Sequence, residues 1–154
     1  MFLDAVGEAG PFIMCAIIWL SVKSNLKYLL FLIIMAEWTI IGDLWKYLFL
    51  PFAGSVRPKF QGQPLSLETT GMPSAHTSAV VVALIGAIVA LHVPALAVLA
   101  LLMIAGITMW QRVTYKYHSV IQVGMGVAVG VLDASLWLCL LRVILRNDYH
   151  QGPY

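Results

Sequence analysis

Long apolar runs separated by short polar clusters define the pattern of this chain. Phe12 to Val22 is densely apolar and reaches membrane-spanning length if its helix begins near Ala5. Tyr28 to Leu50 is long enough to cross a bilayer, although Glu37, Asp43 and Lys46 interrupt it. Pro51 ends that run. Phe52 to Met72 then reads as a polar loop punctuated by Gly54, Pro58, Gly62, Pro64 and Gly71. A third helix is predicted over Ser74 to Leu91, closed by His92-Val93-Pro94. A fourth runs from Pro94 to about Arg112, with proline at the first turn, where a missing N–H is harmless. The fifth covers Ser119 to about Leu145, ahead of a polar tail from Arg146 to Tyr154. The expected fold is an all-α integral membrane bundle of about five transmembrane helices, forming one domain over residues 1–154 without internal repeats.

Composition agrees with that pattern. Hydrophobic residues make up 61% of the 154 positions, and the mean hydropathy is +0.90. Charged residues are 10%, against about 25% in ordinary soluble domains. A net charge of +2 without a basic tract gives no reason to expect nucleic acid as a partner. Cys15 and Cys139 both sit in apolar runs and read as small hydrophobes in membrane helices. Asp4 and Glu8 stand where a secretory signal would carry basic residues, so the membrane segments themselves are expected to do the targeting.

An odd number of spans puts the two termini on opposite sides, and helix by helix the loop 52–72 and the segment 112–118 fall on one face. Lys23, Lys27, Arg142 and Arg146 lie on the other, and the short 23–27 loop holds no acidic residue. The positive-inside rule then sets the first face lumenal or exoplasmic, at the endoplasmic reticulum in a eukaryote or the plasma membrane in a bacterium.

That face collects three motifs: Arg57-Pro58, then Pro73-Ser74-Ala75-His76, then Arg112 with His118 six positions on. Two guanidiniums suit bidentate binding of phosphate oxygens. Two imidazoles suit nucleophilic attack on phosphorus and protonation of the leaving oxygen. Ser74 and Ala75 would open a helix after Pro73, and a helix start with free N–H groups attracts anions. Ser74 can cap that helix or donate its hydroxyl to a phosphate oxygen, and His76 on the first turn faces the same bound group. His118 and Gln122 share a face if the last helix begins at about Tyr117, so Gln122 is expected to accept a hydrogen bond from the imidazole. Taken singly, each motif is also an ordinary interfacial feature, with Trp110, Tyr115 and Tyr117 as an aromatic belt. No Asp-x-Asp or His-x-x-x-His metal motif accompanies them, and no cofactor is expected.

In combination and order, these motifs resemble the three-part signature of the type-2 phosphatidate phosphatase and vanadium haloperoxidase superfamily, over roughly residues 28 to 145. The wording Gly71-Met72-Pro73-Ser74-Ala75-His76, with Tyr117-His118-Ser119-Val120-Ile121-Gln122-Val123, is most similar to the dolichyl-diphosphatase branch. Glucose-6-phosphatases share the glutamine. The resemblance implies His118 as nucleophile through a phosphohistidine, and His76 as acid and then base. It also implies Arg57, Arg112, Ser74 and the Ala75 N–H as the phosphate cradle. The chain departs from the pattern at three positions. Leu50 stands where the family carries a lysine, with Lys46 one turn earlier as a replacement on its long stem. Ala75 replaces the commoner glycine or serine, and Gln111 the serine before Arg112. Set against typical six-span members, the resemblance implies a bundle about one helix shorter, at the N-terminal end.

The expected activity is therefore metal-independent hydrolysis of a lipid phosphate or diphosphate, with a polyprenyl diphosphate such as dolichyl diphosphate favoured and membrane lipids as surroundings. The rival readings are a glucose-6-phosphatase-like or broad lipid phosphate phosphatase, and an inactive relative that binds lipid phosphate. Among the remaining polar positions, Asp43 and Lys46 read as an ion pair, Glu37 and Asp133 as groups facing the bundle interior, and Gly126 with Gly130 as a close-packing stripe within the monomer.

Overall fold

The chain was analysed as a computed structural model, which describes residues 2–52, 54–64, 66 and 68–150, with the side chains of the last helix described as far as Val143. Residues 151–154 of the expected tail, and the Arg146 side chain used in the charge count, lie outside that set. Among the described residues the protein is helical, without a strand; one isolated antiparallel bridge joins Val56 to Thr70.

The first apolar segment is broken, not continuous. α1 (Phe2–Glu8) and α2 (Gly10–Ser21) meet at Ala9 with a bend of 75°. Pro11 has no N–H to offer the Gly7 carbonyl, and its ring crowds that position, so an unbroken helix from Ala5 is disfavoured. The bend is stabilised by docking. Gly7 lies so close to Gln111 that a Cβ there would sit 2.5 Å from the Gln111 Cβ. Asp4 Oδ1 accepts a hydrogen bond from Gln111 Nε2 at 2.7 Å. Gln111 thus anchors α1 to the chain around Arg112.

Leu26–Phe49 is one long helical stretch made of α3 (Leu26–Ala36), a π turn (Glu37–Ile41) and α4 (Gly42–Phe49). The wider π turn brings Glu37 inside, where its carboxylate oxygens have no hydrogen-bond partner among the described residues. Asp133 is buried as expected and accepts from Trp45 Nε1 at 2.8 Å.

α5 (Ala75–Val89) lies at the centre, against α2, α6 (Ala95–Thr114) and α7 (Val120–His150). Its small residues Ala79, Val80 and Ala83 pack with Met14, Ile34 and Leu101. A Cβ on Gly126 or Gly130 would stand 2.8 Å from the Ser74 or Ser78 carbonyl oxygen, so the glycine stripe serves the α5–α7 contact inside the monomer. α7 continues to His150, through the start of the stretch predicted as tail.

Three stretches are long and apolar enough to cross a membrane: Leu26–Phe49, Ala95–Thr114 and Val120–Val143. The bent α1–α2 pair makes a fourth if it counts as one span. α5, with 15 residues, is about 22 Å long and falls short of a bilayer core of roughly 30 Å. The expected five spans therefore reduce to three or four by length and composition. Outward-facing Leu20, Leu32, Ile40, Leu96, Met103 and Leu136 give the bundle an apolar exterior suited to lipid.

Candidate functional site

The loop between α4 and α5 folds back on itself to present Arg57. Arg57 N donates to Thr69 O at 2.8 Å and Gly71 N to Ser55 O at 2.7 Å, holding two legs of the loop antiparallel. Arg57 Nε donates to Thr70 O at 3.1 Å, which turns the guanidinium toward the bundle end. Gln122 braces the same leg: its Nε2 lies 2.8, 3.1 and 2.9 Å from the carbonyl oxygens of Gly54, Ser55 and Val56. Its Oε1 accepts from Ser119 N at 3.1 Å. The expected Gln122–His118 bond is therefore absent. α7 begins at Val120, so His118 lies in the preceding bend and does not share a helix face with Gln122. Gln122 acts as a positioning residue for the Arg57 loop.

Gly71 takes the place expected of Gln122. Its carbonyl oxygen is 2.8 Å from His118 Nδ1. A carbonyl only accepts, so Nδ1 carries the proton and Nε2 keeps a bare lone pair. His76 is set the opposite way. Trp38 Nε1, which can only donate, lies 3.3 Å from His76 Nδ1, so the neutral ring carries its proton on Nε2. The two rings stand edge to face at 5.2 Å. One histidine thus has a free nucleophilic nitrogen, and the other a free N–H.

Both rings border a cavity of about 220 Å³ at this end of the bundle, together with Arg57, Arg112, Lys46, Ala75, Lys59, Tyr117, Trp38 and Glu8. That is room for roughly seven waters, enough for a phosphate with an attacking water. Arg112, in the last turn of α6, is buried and stacks its guanidinium 5.1 Å from the Tyr117 ring centre. Its Nη2 donates to Glu8 Oε2, while its Nε has no partner among the described residues. Glu8 Oε1 also lies 3.7 Å from His76 Nε2. A carboxylate from the end of α1 therefore sits where an oxyanion would meet Arg112.

The sequence-selected residues converge here, with two exceptions: Gln122, which meets the loop carbonyls, and Ser74. Ser74 occupies the N-cap position of α5 but makes no capping bond; its hydroxyl meets Thr77 Oγ1 at 3.0 Å, and it does not line the cavity. Lys46 pairs with Asp43 as expected, with Nζ 2.6 Å from Asp43 Oδ1, and also borders the cavity. Glu8, Trp38, Lys59 and Tyr117 were not selected from the sequence. Lys59 stacks 4.7 Å over the ring of Tyr117, the residue that Arg112 also meets. Among the described residues, no group of three or more His, Cys, Asp and Glu is placed to hold a metal ion.

The electrostatics favour anions. Burial, then the Arg112 charge, pushes the Arg57 pKa below its ordinary value. Burial, then the Arg57 charge, lowers His118 from 6.5 to about 3, with the Gly71 contact opposing. His118 is therefore neutral at rest. The sign for stability follows: below pH 6.5 the unfolded chain takes up a proton that folded His118 refuses down to about pH 3. Stability should fall across that window as the pH drops. In detergent, the thermal midpoint is expected to decline by a few degrees from pH 7 to pH 4. His118→Gln, which cannot titrate, should flatten that decline; an unchanged slope would remove His118 from the cause.

No protein-family model, curated protein or solved structure matches the chain.

Proposed function

We propose that this protein is a membrane-embedded phosphatase of the type-2 phosphatidate phosphatase kind, hydrolysing a lipid phosphate or diphosphate through a phosphohistidine, with polyprenyl diphosphates favoured. The observation that carries the reading is the pair of opposed tautomers: a bare His118 Nε2 and a protonated His76 Nε2 border one cationic cavity.

In the first step His118 Nε2 attacks phosphorus while the bond to the leaving oxygen breaks. His76, charged by a proton taken up with the anionic substrate, gives its Nε2 proton to that oxygen and returns to the neutral ring. In the second step His76 Nε2 takes a proton from water, whose oxygen attacks the phosphohistidine; phosphate leaves and His118 regains its lone pair. Arg57, Arg112 and the backbone N–H at the start of α5 hold the phosphoryl oxygens as charge redistributes. Lys46 and Lys59 supply further positive charge for a diphosphate. Substrate phosphate has to displace the Glu8 carboxylate from Arg112.

In this reading the bent α1–α2 pair and α5 complete five passes, with the cavity on the lumenal or exoplasmic side. α5 need not match the bilayer thickness, because its neighbours surround it.

The test is hydrolysis of polyprenyl diphosphate, phosphatidate and glucose 6-phosphate by the detergent-solubilised protein. Phosphate release is expected to persist in EDTA and to be inhibited by vanadate, with polyprenyl diphosphate the best substrate. Glu8→Gln should tighten vanadate inhibition several-fold by removing the competing charge. Loss of activity in EDTA with rescue by magnesium would refute the histidine mechanism. The Glu8–Arg112 pair also favours a second reading, an inactive lipid-phosphate binder, for which vanadate binds but no phosphate is released.

A further inference from the structure

A second depression, of about 350 Å³, adjoins the cationic cavity and is lined by Ala5, Ala9, Phe12, Trp38 and Glu8. It is at the small end of the range for ligand pockets. Glu8 and Trp38 border both spaces, so the two meet at those side chains. The lining is otherwise apolar. Phe12 and Trp38 form one wall, edge to face at 4.8 Å. Ala5 and Ala9 leave space that larger side chains would fill. Phe12 is half exposed, and the same face of α2 continues with exposed Trp19 and Leu20, so the groove opens toward the lipid-facing surface.

The orientation of the two histidines decides which part of a substrate reaches this groove. His118 is held from the loop side by Gly71, whereas His76 stands against Trp38, on the groove side. In-line displacement sets the leaving oxygen opposite the nucleophile, which is toward His76 and the groove. We propose that the Ala5–Ala9–Phe12–Trp38 groove receives the hydrocarbon chain of the leaving group. The substrate is then an amphiphile whose apolar chain begins at the leaving oxygen or one phosphate beyond it. This inference rests on the phosphatase reading. A sugar phosphate would find one polar group there, the Glu8 carboxylate, so the groove selects against it.

Filling the groove tests the assignment. Ala9→Phe and, as a milder change, Ala5→Leu are compared with the wild type on farnesyl phosphate and on p-nitrophenyl phosphate, which has no chain. The variants should lose roughly tenfold or more in kcat/KM for farnesyl phosphate, as expected when a hydrophobic pocket is filled. Turnover of p-nitrophenyl phosphate should stay within about twofold, which also reports an intact fold. A wild type that cleaves both substrates, with variants that keep the same ratio between them, would overturn the groove assignment alone. The same ratio is expected if bilayer lipid fills the groove instead. A wild type that cleaves neither substrate would overturn the phosphatase reading and this inference with it.

Discussion

His118→Ala should abolish turnover of every substrate, with a loss of about 10³-fold or more, because no other group bordering the cavity offers a bare imidazole nitrogen to phosphorus. His76→Ala should behave differently. A general acid contributes typically 10²- to 10⁴-fold, and it does so in proportion to how poorly the leaving group departs. A polyprenol leaving from its monophosphate, which would depart as an alkoxide without protonation, should therefore feel the full loss, whereas p-nitrophenolate, which needs little protonation, should lose far less. Trp38→Phe keeps the aromatic wall but removes the N–H that fixes the His76 tautomer. It should show a weaker form of the same dependence on the leaving group. The check is kcat/KM across a series of phosphate esters with graded leaving groups. Equal losses for His76→Ala and His118→Ala along the whole series would contradict the division of roles.

Gly71→Ala should be the most damaging substitution outside the catalytic pair. A Cβ at this position would lie 2.5 Å from Arg57 Cγ, 2.6 Å from Gln122 Oε1 and 3.0 Å from His118 Nδ1. In the proposed mechanism those three side chains are respectively a phosphate ligand, the brace of the loop and the nucleophile. None can retreat without disturbing another, since Gln122 holds the Arg57 leg by three carbonyl contacts and Gly71 itself orients His118. The expected result is a loss of about 10²-fold or more in kcat, since small misplacements of reacting groups are costly. Vanadate affinity should fall as well, in a protein that still purifies as a folded monodisperse species. Near-normal activity in Gly71→Ala would show that the loop does not hold His118 as described.

The elements most legible in the sequence were the long apolar helices. Their lengths follow from runs that need no tertiary context, and α6 begins right after Pro94 as its proline suggests. The convergence of Arg57, His76, Arg112 and His118 was legible because motifs at helix ends that share a face are brought close by packing alone. The bend at Ala9 is less visible, because Gly10-Pro11 is the one local break in a run whose apolar pattern continues across it. In the sequence Glu8 carries no signal beyond standing where a secretory leader would be basic. Its contact with Arg112 joins residues far apart in sequence and depends on that bend, so no spacing rule reaches it. The partner of Gln122 turned on where α7 starts: a first turn at Val120 in place of Tyr117 moves the amide away from His118 and onto the loop carbonyls. Trp38 owes its place to the π turn, which rotates the helix face without any change in hydrophobic pattern.

Covalent trapping of the intermediate tests the central claim most directly. The detergent-solubilised protein is mixed with polyprenyl diphosphate labelled in the terminal phosphate, quenched in alkali within milliseconds and digested for mass spectrometry. The account predicts an alkali-stable, acid-labile phosphoryl group on the peptide containing His118, attached at Nε2. It should be absent from His118→Ala and should accumulate in His76→Ala when an activated leaving group is used. A phosphoryl group on any other residue, or full turnover by His118→Ala, would contradict it.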